Sequence, residues 1–290
     1  MNVQFAKATR LKARSDNSFS SQAYRTLSDL VYQHSRIRLG PDKKALVANR
    51  LRKRLQALEL ETYDDYCDLL QSPQDAEEVE NLVDLISTNH TRFFREPAHF
   101  SFLTQRALPA LVSELSATGA PLRLWSAAAS SGEEPYTMAV AVAEYLRPFP
   151  KVEWQILATD ISRRMLAAAR QGIYSMDRVK PVPLEILKRY FEKGVGARAG
   201  VCRVKPELRD HLQFDRVNLF QAEYPVPSNL HVIFCRNVMI YFDLPSRALA
   251  VQRLTQHLAP GGYLVIGHSE NLMGIPHGLH PVQQGVFQKT

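Results

Sequence analysis

The sequence predicts an α/β protein in which a small all-helical N-terminal domain precedes a larger domain of alternating strands and helices. Two observations support this prediction. From about Ser20 to Ser87 the apolar residues recur at helical spacing, and beyond Ser87 strand patterns alternate with helical ones, which is typical of a parallel sheet. The length of 290 residues and the hydrophobic content of 45% allow two modest domains with substantial cores.

The first 19 residues lack periodic apolar positions, so we expect a flexible basic tail over residues 1–19. The tail's charge serves either an acidic partner or solubility alone. It contains no apolar segment typical of a secretory signal, and no run in the chain approaches the length of a membrane span, so we expect a cytoplasmic protein. Three scattered cysteines without a CxxC pair argue against a disulfide framework or a zinc site: Cys67, Cys202 and Cys235.

A basic helix is predicted to begin at Pro41 and Asp42, and its cations have no acid among them before Glu59. Its apolar face carries Val47, Leu51, Leu55 and Leu58. The net charge of +7 indicates an acidic partner: nucleic acid, anionic lipid or an acidic protein. Docking of such a partner is one interpretation of this helix, and a solvated face is the other. The predicted docking residues are Lys43, Lys44, Arg50, Lys53 and Arg54.

The stretch "LRLWSAAASSGEEPYTMAVAVAEYL" predicts a strand over 122–127, a small-residue loop ending in Gly132, and a helix that starts at Pro135. Glu133 and Glu134 suit the positive end of a helix dipole, so an ordinary helix start explains them. A pyrophosphate-binding loop would carry more glycines and no carboxylates. One glycine with two acids suits a positively charged ligand, such as the ammonium and sulfonium groups of S-adenosylmethionine.

The next strand, in "VEWQILATDIS", ends at Asp160, where nucleotide-binding folds hold the ribose hydroxyls. Asp160 is also a plausible residue for the N-terminus of the following helix. Together with the preceding loop it favours an adenosine ligand. Further strand ends carry side chains to the same edge of the sheet: Asn218, Leu219, Arg236, Asn237 and Tyr241. "GGYLVIGHSENL" predicts another strand, and "HPVQQGVFQKT" a final one.

The segment "STNHTRFFREPAHF" places Phe93 and Phe94 between two arginines, where the helical part meets the rest of the chain. One interpretation is a structural linker whose phenylalanines fill a domain junction. The other is that the segment forms one wall of an active site.

Six motifs together resemble the CheR family of chemotaxis receptor glutamate methyltransferases: "TNHTRFFRE", "WSAAASSGEEPY", "ATDIS", "VNLF", "FCRNVMIYF" and "GHSENL". The resemblance implies a helical receptor-docking domain over residues 20–88. It implies a Rossmann-like S-adenosylmethionine-dependent methyltransferase domain over 89–290, with a small antiparallel β-subdomain inserted at about 177–213.

Carried over residue by residue, the resemblance implies S-adenosylmethionine contacts at Asn89, Thr91, Arg95, Glu134, Asp160, Asn218, Leu219, Arg236 and Asn237. Arg95 and Tyr241 match the family's residues near the transferred methyl group, and Phe93 and Phe94 would anchor Arg95. The product is S-adenosylhomocysteine, and no metal is expected. Because a glutamate carboxylate is already ionised at pH 7, the reaction needs no general base, and we expect a structural role for His268.

The implied partners are the cytoplasmic helices of methyl-accepting chemoreceptors, with recruitment to membrane-bound receptor arrays. The glycine-rich part of the insertion resembles versions that bind a receptor's C-terminal tail peptide by strand addition, and a hairpin that covers the site is the alternative. No nucleic acid is expected, because "FCRNVMIYF" lacks the Asn-Pro-Pro-Tyr type of sequence. A nucleic-acid methyltransferase and a non-catalytic S-adenosylmethionine-binding adaptor remain as competing functions.

Overall fold

The computed structural model of the chain describes residues 19–72 and 76–290. The chain separates into two compact units, with the division between Ser87 and Thr88. The predicted basic tail, apart from Phe19, lies outside the described residues. Within the described ranges, no helix is both long enough and apolar enough to cross a membrane.

The N-terminal unit is helical, as predicted. Its helices are α1 (Ser21–Ser35), α2 (Lys44–Ala57), α3 (Tyr63–Leu70) and α4 (Ala76–Ile86). A 3-10 turn, Pro41–Lys43, precedes α2. Side-chain caps fix two of the helix starts, since Ser20 Oγ accepts a hydrogen bond from the Ala23 amide and Thr62 forms a capping box with Asp65. The predicted apolar face of α2 is buried at three of its four positions, and the fourth, Leu58, is part-buried at the helix end.

The C-terminal unit is built on a seven-stranded sheet with the order β6-β2-β1-β7-β8-β10-β9. The strands are β1 (Leu122–Ser126), β2 (Trp154–Asp160), β6 (Leu212–Arg216), β7 (Leu230–Phe234), β8 (Leu258–Val265), β9 (Leu279–Gln283) and β10 (Val286–Lys289). The pairings from β6 to β8 are parallel, which confirms the predicted α/β class. The prediction of one final strand is wrong, because Gly285, with φ of +71°, turns the chain into the antiparallel hairpin β9–β10.

Helices cover the sheet and bury its apolar side chains. They are α5 (Pro97–Phe102), a π-helical turn (Leu103–Ala107), α6 (Leu108–Thr118), α7 (Glu133–Leu146), α8 (Arg163–Gln171), α9 (Leu184–Tyr190), α10 (Pro206–Arg209) and α11 (Leu244–His257). Helix α7 begins at Glu133 and not, as predicted, at Pro135. Gly132 precedes it with φ of +97°, a left-handed conformation that glycine adopts without steric cost, so both glutamates fall inside the first turn.

A small antiparallel sheet lies between α8 and β6 in the chain. Its strands are β3 (Ile173–Ser175), β4 (Phe191–Lys193) and β5 (Val201–Val204), in the order β3-β5-β4. The sheet therefore begins upstream of the predicted insertion at about 177–213. Gly194 follows β4 where a Cβ atom would lie 2.0 Å from the Arg198 carbonyl oxygen, so the connection between β4 and β5 needs glycine there.

Candidate functional site

The segment 88–96 is anchored in the C-terminal unit by its two phenylalanines. Phe93 is 1% exposed and meets the rings of Tyr174 and Phe191 edge-on, at centroid distances of 4.9 and 5.7 Å. Phe94 has a positive φ of 52°, and its amide donates to Thr137 Oγ1 at 3.2 Å. The apolar pair thus holds this polar segment against β3, β4 and α7.

Segment 88–96 contacts the loop between β1 and α7, residues 127–132, at Asn89. Ser130 Oγ donates to the Asn89 carbonyl at 3.2 Å. Arg95 Nη1 donates to the His90 carbonyl at 2.9 Å, and the Arg95 side chain is 30% exposed. Thr91 is part-buried in the same segment. Three of the predicted site residues therefore come from one short stretch beside the β1–α7 loop.

Arg236, at the end of β7, joins this segment to α7 through a buried ion-pair network. Its side chain is 1% exposed, and it donates from Nη2 to Glu96 Oε2 at 3.0 Å and from Nη1 to Glu134 Oε2 at 3.1 Å. Nη2 also donates to the Arg95 carbonyl at 2.5 Å. The rings of Phe100 and Phe234 lie 5.4 and 5.6 Å from the guanidinium carbon. Arg236 thus links three chain segments.

The pKa values of Glu96 and Glu134 are shifted in opposite directions. Burial alone would raise the pKa of Glu96, but hydrogen bonds from Asn237 and Arg236 hold it at about 2, so Glu96 is ionised. Burial raises the pKa of Glu134, against the opposing effects of Arg236 and of Ser126, whose Oγ donates to Glu134 Oε1 at 2.7 Å. A cationic ligand beside Glu134 would favour its ionised form. Sequence reasoning missed Glu96, although its place between the paired phenylalanines and Pro97 marks it as a turn residue.

Glu270, which sequence reasoning also missed, shapes the turn that carries Asn237 and Tyr241. Its carboxylate accepts hydrogen bonds from the backbone amides of Asn237 at 2.9 Å, Met239 at 2.8 Å and Gly267 at 2.6 Å. Asn237 has a φ of 59°, and its Nδ2 donates to Glu96 Oε1 at 3.0 Å. Because a carboxylate that accepts from the backbone replaces ordinary turn hydrogen bonds, Glu270 fixes the 3-10 turn Met239–Tyr241 at this edge of the sheet.

Asp160 connects the end of β2 to the β1–α7 loop. Its Oδ2 accepts from the Ser130 amide at 2.8 Å and its Oδ1 from the Ser162 amide at 2.9 Å. The N-cap of α8 is Ser162, so the alternative that Asp160 serves as that cap is wrong. The Asp160 carbonyl accepts from Val217, which places Asn218 next to it.

Asn218 and the buried Leu219 form a tight turn after β6. Asn218 Oδ1 accepts from the Phe220 amide at 2.9 Å, and the Leu219 carbonyl accepts from the Tyr224 hydroxyl at 2.5 Å. The predicted residues thus fall into connected groups at the carboxyl ends of β1, β2, β6 and β7. Open α/β sheets bind their ligands at this edge.

One group in the described part of the chain has donors close enough for a metal ion: Glu96, His99 and His268, within 4.8 Å of one another. The donor set does not suit a cation. Arg236 and the His268 amide already donate to Glu96 Oε2, and a guanidinium 3.0 Å from that oxygen would repel a metal. Burial, together with Arg236, lowers the pKa of His99 to about 4, so His99 is neutral near pH 7 and adds no charge to the network; a metal is disfavoured by the donors that already occupy Glu96.

The basic helix α2 differs from the prediction in how its cations are used. Arg54 pairs with the buried carboxylate of Glu78, and Arg50 donates to the carbonyls of Leu85, Ile86 and Ser87. Lys43 pairs with Asp42 at 2.9 Å, both exposed. No acid lies among the cations within the helix before Glu59, as the sequence shows, but Lys43 has a partner in Asp42 just before it and Arg54 has one in Glu78 on α4. Lys53 is exposed and Lys44 part-buried on the same helix.

Both units of the chain are similar to known proteins. Residues 22–87 match a family model described as "CheR methyltransferase, all-alpha domain", and residues 89–287 match "CheR methyltransferase, SAM binding domain". A chemotaxis protein methyltransferase of Salmonella typhimurium is 38% identical over 89% of this chain and 86% of the relative. One from Escherichia coli is 39% identical, with coverages of 88% and 86%. "Chemotaxis protein methyltransferase 2" of Pseudomonas aeruginosa is 38% identical over 93% of both chains.

Proposed function

Because the chain belongs to the CheR methyltransferase family, we propose that it transfers a methyl group from S-adenosylmethionine to glutamate side chains of chemoreceptors. The products are glutamate methyl esters and S-adenosylhomocysteine. The single observation that carries this proposal is the Glu96–Arg236–Glu134 network beside the β1–α7 loop. It presents carboxylates where a nucleotide-phosphate site would present bare amides, and so favours a cationic, phosphate-free adenosine ligand.

The described residues fit this cofactor. When bound, S-adenosylmethionine supplies an electrophilic methyl group on a sulfonium. Asp160 would hold the ribose hydroxyls from the end of β2, and Asn218 would face the adenine. Glu134 would face the positively charged part of the ligand, with its position set by Arg236 and Ser126. Asn89 and Thr91 would close the site from segment 88–96. Leu219, Arg236 and Asn237 complete the proposed binding set.

The chemistry requires orientation of the nucleophile more than proton transfer. The receptor glutamate has a reference pKa of ~4.3 and is ionised at pH 7, so no base is needed. Effective molarities from orientation are worth ~7 to 11 kcal/mol. Arg95, whose side chain is 30% exposed, would steer the carboxylate, and Tyr241 would pack near the methyl group from its turn after β7. Desolvation of the carboxylate would strengthen the attack.

We propose that the receptor-docking surface lies on α2 and the 3-10 turn before it, with fewer cations than the sequence predicted. Lys43, Lys44 and Lys53 remain as docking residues for acidic receptor helices. Arg50 and Arg54 contribute by holding α2 to α4. If α2 steers the enzyme by charge, the KM for receptor rises with ionic strength, and Lys44→Glu with Lys53→Glu raises KM more than it lowers kcat. A KM independent of salt contradicts this role. The proposed location is the cytoplasm, at membrane-bound receptor arrays.

Receptor recruitment through the small sheet is a further part of the proposal. The order β3-β5-β4 leaves β4 at an edge, and an extended receptor tail could add to it as a strand. The tight connection between β4 and β5 at Gly194 supports this proposal, because the chain after β4 turns back over a short distance. A proline in place of Lys193 would test it by weakening tail-peptide binding while cofactor binding persists, because the backbone of the neighbouring position 194 pairs with β5 and that of Lys193 faces the open edge.

The decisive experiment is transfer of labelled methyl from S-adenosylmethionine to receptor-containing membranes, followed by mild alkali and collection of volatile methanol. Methyl esters release methanol under these conditions, whereas N-methyl products do not. We expect alkali-labile label on a receptor-sized protein, lost with Arg95→Ala and retained with Arg92→Ala, an exposed arginine of the same segment. Alkali-stable label on nucleic acid would indicate a nucleic-acid methyltransferase, and cofactor binding without transfer would indicate an adaptor.

A further inference from the structure

A second buried carboxylate, Glu133, lies directly behind the β1–α7 loop and plays no part in the network of Arg236. Its side chain is 0% exposed, although Glu133 is the first residue of α7. Its Oε2 accepts from Ser131 Oγ at 2.7 Å, and its Oε1 lies 2.7 Å from Arg178 Nη2. Burial raises the pKa of Glu133, and the hydrogen bond from Ser131 and the charge of Arg178 oppose that rise, with a smaller contribution from His90. The cation that contacts this carboxylate directly is Arg178.

That cation comes from the segment that forms the small antiparallel sheet, residues 173–204, called here the small-sheet segment. Arg178 follows β3, is 45% exposed, and also donates to Ser131 Oγ at 3.2 Å. Tyr174, within β3, donates from its hydroxyl to the Ser131 carbonyl at 2.8 Å. A Cβ atom on Gly132 would lie 2.7 Å from the same hydroxyl, so the loop backbone packs directly on Tyr174. The small-sheet segment thus supports one side of the β1–α7 loop.

The loop also contacts residues of the proposed cofactor site. There the Ser130 amide donates to Asp160 and the Ser130 hydroxyl to the Asn89 carbonyl. Glu134 follows Glu133 directly and pairs with Arg236. A shift of Glu133 would therefore move Glu134 on one side and, on the other, Ser130, which is hydrogen-bonded to Asp160 and Asn89.

We infer that Arg178 is a positioning residue, which sets the affinity for S-adenosylmethionine by neutralising Glu133 behind the β1–α7 loop. The inference rests on the proposed function. Without Arg178 the buried carboxylate is left unpaired and turns toward water, because an unpaired charge is costly in a buried site. That movement breaks the hydrogen bond with Ser131 and displaces the first turn of α7. Arg178 touches the loop and not the reacting atoms, so its effect falls on cofactor binding.

Calorimetric titration of S-adenosylhomocysteine into the full chain tests this with Arg178→Met and with a double variant. Arg178→Met should raise the Kd by at least about tenfold, equivalent to ~1.4 kcal/mol. The double variant with Glu133→Gln should recover to within about threefold of the wild type, because no buried charge is left unpaired. In turnover, Arg178→Met should raise the KM for S-adenosylmethionine by a larger factor than it lowers kcat.

Lys180→Ala is the matched control. Lys180 lies two residues further along and pairs with Asp177, but their side chains are 76% and 82% exposed, so its loss should leave the Kd unchanged. If Arg178→Met does not fold, Glu133→Gln and the double variant are compared instead. Their Kd values should agree within about threefold, and a tenfold difference overturns the inference.

The two hypotheses fail in distinguishable ways. If the wild type does not bind S-adenosylhomocysteine, the proposed function is wrong and the inference falls with it. If the wild type binds and Arg178→Met binds equally well, only the inference is wrong. A loss in Arg178→Met that Glu133→Gln does not relieve also overturns it, because Arg178 would then act by another route.

Discussion

Replacement of Glu96 by glutamine tests the charge network of the site through its effect on stability. Glutamine keeps the shape of the side chain and removes its charge. The pKa of Glu96 lies at about 2 in place of its ordinary 4.5, despite burial, because Asn237 and Arg236 donate to the ionised carboxylate. Each tenfold change in proton affinity is worth about 1.4 kcal/mol, so the charge of Glu96 stabilises the folded unit by ~3 kcal/mol at pH 7.

The pH dependence follows from the direction of this shift. The folded pKa lies below the unfolded one, so the unfolded chain binds more protons between the two values. The stabilisation by Glu96 is therefore complete above about pH 5.5 and is lost as the pH falls toward 2. By pH 3.5 about 1.4 kcal/mol of the difference between wild type and Glu96→Gln should have disappeared.

Tryptophan fluorescence provides the measurement. Trp125 and Trp154 are the two tryptophans of the chain, and both belong to the C-terminal unit. Urea unfolding followed by their emission at pH 7 and pH 3.5 reports on the unit that contains Glu96. Glu153→Gln, an exposed carboxylate beside β2, should change stability by less than about 0.5 kcal/mol at either pH. An equal difference between wild type and Glu96→Gln at both pH values would refute the reasoning.

Three further predictions concern other parts of the chain. Arg54→Ala should cost ~2 to 3 kcal/mol by stranding the buried Glu78, seen as faster amide exchange in α2 and α4, whereas Lys53→Ala should not. Gly132→Ala should weaken S-adenosylhomocysteine binding, because its Cβ would lie 2.7 Å from Tyr174 Oη. Gly119→Ala has a similar φ but no atom within 4 Å, so titration should show unchanged binding. Asp160→Asn should raise the Kd by about tenfold or more, with equal affinity contradicting its role.

The class and order of the elements could be predicted from the sequence because they depend on local patterns. The apolar run before Asp160 and the small residues after β1 specify a strand and its loop without reference to the rest of the chain. Element ends were predicted less well where a single backbone angle decides them. Gly132 starts α7 two residues earlier than Pro135 suggests, and Gly285 divides the predicted final strand into two.

The polar network could not be predicted in the same way, because its partners are far apart in the chain. Glu96 and Arg236 are separated by 140 positions, and Glu78 is 24 positions from Arg54. A helix can therefore appear to lack acidic partners in sequence and still have one from another helix. Glu270 was missed for the same reason, because its carboxylate accepts a hydrogen bond from the backbone amide of Asn237, 33 positions away in the chain.

The charge balance of the site suits the reaction proposed for it. Transfer of a methyl group from a sulfonium to a carboxylate removes one positive and one negative charge, so the transition state is less polar than the reactants. A poorly hydrated site therefore favours the reaction, provided that its own charges are already paired. Arg236 contacts Glu96 and Glu134 away from solvent, and the cationic ligand would balance the second carboxylate. The rings of Phe100 and Phe234 lie 5.4 and 5.6 Å from the guanidinium carbon. Arg95 is partly exposed, is hydrogen-bonded to a carbonyl and lies 4.0 Å from Glu96, and we propose that it guides the incoming carboxylate. Arg95→Lys should accordingly retain more activity than Arg95→Ala, with most of the loss in the KM for receptor, whereas Arg236→Lys should lose cofactor binding because lysine lacks the fork that spans both glutamates.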